Sequence, residues 1–113
     1  MKGTDEDFPA DAFSVARTEE LPPGTMRHVE CFGDRLLVAN VDHVFYAVSD
    51  RCTHEDTPLH EGELFDGEIV CPLHFASFDV KTGMVIDPPA KRPLRVYPTF
   101  TDNGWVFVRP APA

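Results

Sequence analysis

Apolar positions along this chain fall in short runs, and each run ends at a turn signal. Helix signals are nearly absent, because 11 prolines and 7 glycines interrupt the 113 residues too often for long helices. FSVAR at 13–17 reads as a first strand, and LPPGT at 21–25 as a turn. MRHVECF (26–32) and RLLVANV (35–41) read as a hairpin across Gly33-Asp34, with VFYAVS (44–49) pairing next. Alternation in this stretch is imperfect, so the pattern leaves its register open. ELF and EIVC flank Asp66-Gly67, SFDV and MVI flank KTG, and LRVYPTFT and WVFVR flank Asn103-Gly104, giving three more hairpins. DPPAKRP (87–93) is a stiff loop, and the tails 1–7 and 110–113 are expected to be mobile. The predicted class is all-β and antiparallel, in one domain. Residues 1–47 and 92–113 would form a base, with a smaller unit, 48–91, inserted into it.

Hydrophobic content of 42% is that of a folded chain. No apolar run approaches the roughly 18–20 residues of a membrane helix. The opening MKGTDEDFPAD is acidic and has no apolar core, so it does not read as a secretory signal, and a cytoplasmic location is expected. The formal net charge is −9, from 19 acids and 10 bases, which argues against a nucleic-acid partner. The charge is uneven: residues 50–68 carry a local −6 and residues 79–109 a local +2. An acidic stretch is either a solvated face or a docking face for a basic partner.

That acidic stretch overlaps CTHEDTPLHEGELFDGEIVCPLHFASFD, which holds two of the three cysteines and three of the five histidines. Four of them fall as Cys52-x-His54, sixteen residues, then Cys71-x-x-His74. Two thiolates and two imidazoles brought together select zinc, iron or an iron–sulfur cluster over calcium or magnesium. Structural zinc sites usually start from C-x₂₋₄-C or H-x₃₋₅-H pairs, whereas each half here is mixed. Zinc therefore stays open at this point, as the less favoured choice. Cys31, among apolar residues, reads as a small core residue, and an odd cysteine count in a reducing compartment argues against a disulfide framework.

The spacing, with its words CTH, CPLH and FDVKTG, resembles the Rieske pattern, in which two histidines replace two cysteines on one iron of a [2Fe–2S] cluster. More closely, the chain resembles the Rieske-type ferredoxins of multicomponent bacterial aromatic-ring dioxygenases, over about residues 48–97. The resemblance implies a β-sandwich base carrying a cluster-binding subdomain, and one [2Fe–2S] cluster per chain. Cys52 and Cys71 would hold one iron, and His54 and His74 the other, near the tip. It implies a one-electron carrier that takes electrons from a flavin-containing ferredoxin reductase and passes them to a terminal Rieske oxygenase; a monomer is the simplest state for such a shuttle, with the oligomeric state left open. The chain itself would not be an enzyme. No H-x₃₋₅-H pair remains for a mononuclear iron, and there is no G-x-G-x-x-G for a flavin or nicotinamide. Two other readings are a Rieske-type small subunit of another oxidoreductase and a zinc-stabilised interaction module.

Departures within the resemblance carry chemistry. With two thiolates and two neutral imidazoles, an oxidised [2Fe–2S] site is neutral, so it takes an electron more readily than a four-thiolate site. Hydrogen bonds to the sulfurs then tune the potential. High-potential respiratory relatives carry Ser and Tyr donors in the second loop, where this chain has Ala76 and Phe78. Where they have a bridging cysteine pair, it has Thr57 and Leu73. The expectation is a potential near the bottom of the range, about −150 mV, and no disulfide. Phe75 stands where many such ferredoxins have Gly, and would either pack under the loop or contact a partner. His60 reads as a surface residue, and His28 and His43 as base residues without cysteine companions. Pro88-Pro89 reads as a stiff turn, with a shielding role beside the cluster implied by the resemblance.

Overall fold

A computed structural model describes residues 12–53, 57–72, 75–88 and 92–111. In chain order its strands are β1 (Phe13–Arg17), β2 (Met26–Cys31), β3 (Asp34–Val41), β4 (Val44–Ser49), β5 (Glu63–Phe65), β6 (Glu68–Val70), β7 (Ser77–Asp79), β8 (Val85–Asp87), β9 (Val96–Tyr97), β10 (Thr99–Asp102) and β11 (Trp105–Val108). The only helical pieces among the described residues are two single 3₁₀ turns, Thr18–Glu20 and Leu59–Glu61. No helix among them is long and apolar enough to cross a membrane. The all-β expectation holds.

The strands make three antiparallel sheets, ordered β1-β11-β10, β2-β3-β4-β9 and β5-β6-β7-β8. The second sheet lies between two cores, and this explains the imperfect alternation. Leu36 and Val38 of β3 pack in one apolar cluster with Val106 and Val108 of β11. Their neighbours Leu37 and Ala39 pack in the other, with Ile69, Phe78, Cys52 and Cys71. Adjacent side chains on a strand point to opposite faces, so a strand covered on both faces needs an unbroken apolar run. The run Leu36–Leu37–Val38–Ala39 is the signature of that middle position. Strands β4 and β9 split the same way, Val48 and Val96 to one side and Ala47 and Tyr97 to the other.

The hairpins are tight. At Phe32-Gly33, Asp42-His43, Asp66-Gly67 and Asn103-Gly104 both turn residues have positive φ, the backbone twist that two-residue hairpins require. Three expectations need correction. The first hairpin turns at Phe32-Gly33, not Gly33-Asp34, because Cys31 pairs with Asp34 across it. Asp34 is held in β3 by its carboxylate, which accepts from the Arg35 N–H (2.8 Å) and the Tyr97 hydroxyl (3.0 Å). LRVYPTFT is not one strand. Pro98 has no N–H to give to a ladder, and the chain changes sheets there, β9 pairing with β4 and β10 with β11. At the C-terminal end, Ala111 packs against the β11 core, so residues 110 and 111 are not a loose tail. The other tail residues, 1–7 and 112–113, lie outside the described residues.

Candidate metal centre

Two loops carry the cysteines, and they are built alike. The Cys52 N–H donates to the Thr57 carbonyl (2.9 Å), and the Cys71 N–H donates to the Ala76 carbonyl (2.7 Å). Each loop thus closes on its cysteine from five residues downstream. The first leaves β4 through Asp50 and a bridge between Arg51 and Pro58. The second follows β6 directly and feeds β7.

Gly62 lets the two halves meet. A Cβ there would lie 1.9 Å from the Val70 carbonyl oxygen and 3.1 Å from Pro72 Cδ. The turn Leu59–Glu61 can therefore lie against the strand end that presents Cys71. Thr53 Oγ1 donates to the Arg92 carbonyl (2.7 Å), tying the first loop to the segment that follows the proline-bearing stretch. Pro88 is exposed, and Pro89 lies outside the described residues.

Both cysteines are buried, at 2% and 0% exposure, in one apolar cluster with Leu59, Ile69, Ala76 and Phe78. No disulfide joins the described cysteines. His54, His74 and Leu73 lie outside the described residues. Ala76 and Phe78 are fully buried and bring no hydroxyl. The nearby Ser77 hydroxyl donates instead to Asp87 Oδ2 (3.1 Å). Phe75 is 73% exposed and does not pack under the loop. Its φ of 58° is left-handed, which explains the physical advantage of glycine at such a place. Cys31 sits apart in the β11 core. Burial, and then the Asp34 charge, push its thiol up from the ordinary value, so it is a poor thiolate and a core residue, as expected.

The sequence reading missed one constellation. His60 is not a simple surface residue, and His28 is not isolated. Asp50, fully buried, receives both rings on one oxygen: Nδ1 of His28 at 2.9 Å and Nδ1 of His60 at 2.5 Å from Oδ2. Its Oδ1 accepts the His60 backbone N–H (2.8 Å). His28 comes from β2, Asp50 follows β4, and His60 is in the 3₁₀ turn. Separations of 22 and 10 residues leave no local spacing to find. The only signal was an aspartate directly after the apolar run of β4. His43 is the second residue of the β3–β4 turn, its N–H held by Asn40 Oδ1 (2.8 Å).

Two like loops, each with a buried cysteine, a C-x-H and C-x-x-H donor pattern, and a sheet laid on a second sheet define a small all-β metalloprotein. The chain belongs to the Rieske [2Fe–2S] domain family, which matches residues 11–98. It is 43% identical over 91 residues to the biphenyl dioxygenase ferredoxin subunit of Pseudomonas sp. strain KKS102, covering 80% of this chain and 84% of that one. Its fold superposes on the ferredoxin of carbazole 1,9a-dioxygenase from Nocardioides aromaticivorans IC177 with a TM-score of 0.86, at 32% identity, covering 89% of this chain and 99% of the other. A chain from the complex of reduced oxygenase and oxidized ferredoxin in carbazole 1,9a-dioxygenase matches with a TM-score of 0.85, at 36% identity, covering 89% and 94%. The choice left open between zinc and an iron–sulfur cluster is thereby made: the cofactor is a Rieske-type [2Fe–2S] cluster. The donor chemistry fits it, with two buried thiols on like loops and an imidazole-bearing residue in each loop.

Proposed function

We propose that this protein is the electron carrier of an aromatic-ring dioxygenase system, taking single electrons from a flavin-containing reductase and passing them to a terminal Rieske oxygenase. The observation that carries the reading is the pair of like, backbone-closed loops that bury Cys52 and Cys71 in one core, in a chain so similar to dioxygenase ferredoxin subunits. We assign Cys52 and Cys71 to one iron and His54 and His74 to the other. The bound cluster supplies a one-electron store. This chain's residues keep water from the cysteine sulfurs and present the loop tips to partners. Residues 48–91 act as the cluster-binding unit on a base of 1–47 and 92–113; in support, β5–β8 pair only with one another. The protein works as a cytoplasmic monomer, which fits a carrier that must release each partner. The aromatic substrate is chosen by the oxygenase.

The test has two stages. Dithionite reduction of the purified red-brown protein is expected to produce a rhombic paramagnetic signal of low average g from a silent oxidised state. The protein is then expected to restore substrate oxidation when added to an NADH-dependent ferredoxin reductase and a Rieske dioxygenase that are inactive without a ferredoxin. A correct signal with no electron delivery to any dioxygenase tried would favour a fixed subunit of another oxidoreductase.

A further inference from the structure

The His28–Asp50–His60 constellation is not used by the cluster loops. Donor atoms from the three residues lie within 4.8 Å of one another. The two rings lie side by side, with centroids 4.8 Å apart and planes 33° apart. Each ring is partly open to solvent, at 30% and 34%, while the carboxylate beneath them is fully buried. An ion therefore has a way in and a rigid floor to meet.

Both rings turn Nδ1 toward Oδ2 of Asp50, at 2.9 Å for His28 and 2.5 Å for His60, so two imidazole nitrogens and a carboxylate oxygen converge on one point. Oε2 of Glu30 lies 3.6 Å from Nε2 of His28 on the open side. Adjacent ligands around a tetrahedral ion at metal–ligand distances of about 2.0–2.1 Å are roughly 3.3 Å apart, so the two rings and the Asp50 carboxylate need to part by less than about 1 Å to seat an ion. Imidazole nitrogens with a carboxylate suit late first-row ions and disfavour calcium and magnesium.

We propose that His28, Asp50 and His60 form a second metal site that binds a divalent transition ion such as zinc(II), separate from the iron–sulfur centre. The site joins β2 to the turn that follows the first cysteine loop, so its occupancy ties that loop to the central sheet.

The test uses the cluster-loaded protein and zinc chloride alone. Calorimetric titration is expected to give one zinc per chain at micromolar affinity or tighter, with the visible spectrum unchanged. The unfolding midpoint should rise by several degrees with zinc. His28→Gln with His60→Gln should weaken binding at least tenfold and remove the thermal shift. Cobalt(II) added to the wild-type protein guards against a variant that folds poorly. It should give weak visible bands of nitrogen and oxygen ligation, without a strong near-ultraviolet thiolate band. Zinc uptake that bleaches the cluster, a thiolate band with cobalt, or equal affinity in the double variant would each overturn the proposal.

Discussion

At the residue scale, single side chains set the strain, the potential and the alkaline limit. Phe75 holds a left-handed φ of 58° while its ring is exposed, at a cost of about 1–2 kcal/mol for a residue with a Cβ. Phe75→Gly should raise unfolding stability by about 1 kcal/mol in urea titrations, while weakening the apparent affinity of the oxygenase for the carrier. Unchanged steady-state affinity would leave the ring without a docking role. Phe78 is buried without a donor. Phe78→Tyr is expected to move the potential upward from the bottom of the roughly −150 to +300 mV range, read by redox titration against the wild type. Tyr97, whose hydroxyl donates to Asp34, is pushed up to about 12 by burial first and then by that carboxylate. A folded value above the unfolded one stabilises fully below the unfolded pKa of about 10 and loses that contribution as pH climbs to the folded one. Unfolding free energies from urea titrations should therefore fall between about pH 10 and 12, by roughly 2–3 kcal/mol, and Tyr97→Phe should flatten that window.

At the element scale, the close approach of Gly62 to Val70 decides whether the two loops can share a core. Gly62→Ala puts a methyl group into backbone and should cost about 1–3 kcal/mol. Iron and sulfide content after purification should fall with it. Gly24→Ala, with no atom within 4 Å of the added carbon, should cost only its backbone strain of about 1 kcal/mol and leave the cofactor content intact. The hairpins at Asp66-Gly67 and Asn103-Gly104 were legible because their residues are those that tolerate positive φ. The turn at Phe32 was displaced by one residue because phenylalanine hides a left-handed position that tertiary pairing imposes. The break at Pro98 was written in the sequence and passed over: a proline inside an apolar run marks a strand that ends or changes partner. The two cysteine loops were legible because each C-x-H or C-x-x-H pair is local; the structure describes Cys52 and Cys71, and His54 and His74 lie outside the described residues. The Asp50 constellation was not legible, because topology alone assembles it.

At the scale of the whole molecule, charge and layering work together. The apolar middle strand β3 anchors two cores, and the acidic stretch 50–68 includes the residues of the first cysteine loop. With −9 overall, encounter with basic partner surfaces should be fast at low salt. Stopped-flow reduction by the reductase is expected to slow by about threefold or more when ionic strength rises from about 0.05 to 0.5 M. A rate indifferent to salt would assign the acidic stretch to solvation alone.

The closure of both cysteine loops by peptide groups has a consequence for how such carriers diversify. The Cys52 and Cys71 N–H groups donate to the main-chain carbonyls of Thr57 and Ala76, and any residue, proline included, supplies such an acceptor. The frame is thus indifferent to the side chains it encloses. An exposed loop residue such as Phe75 can change without rebuilding the core beneath, so a new redox partner is reached by rewriting a few letters at the rim.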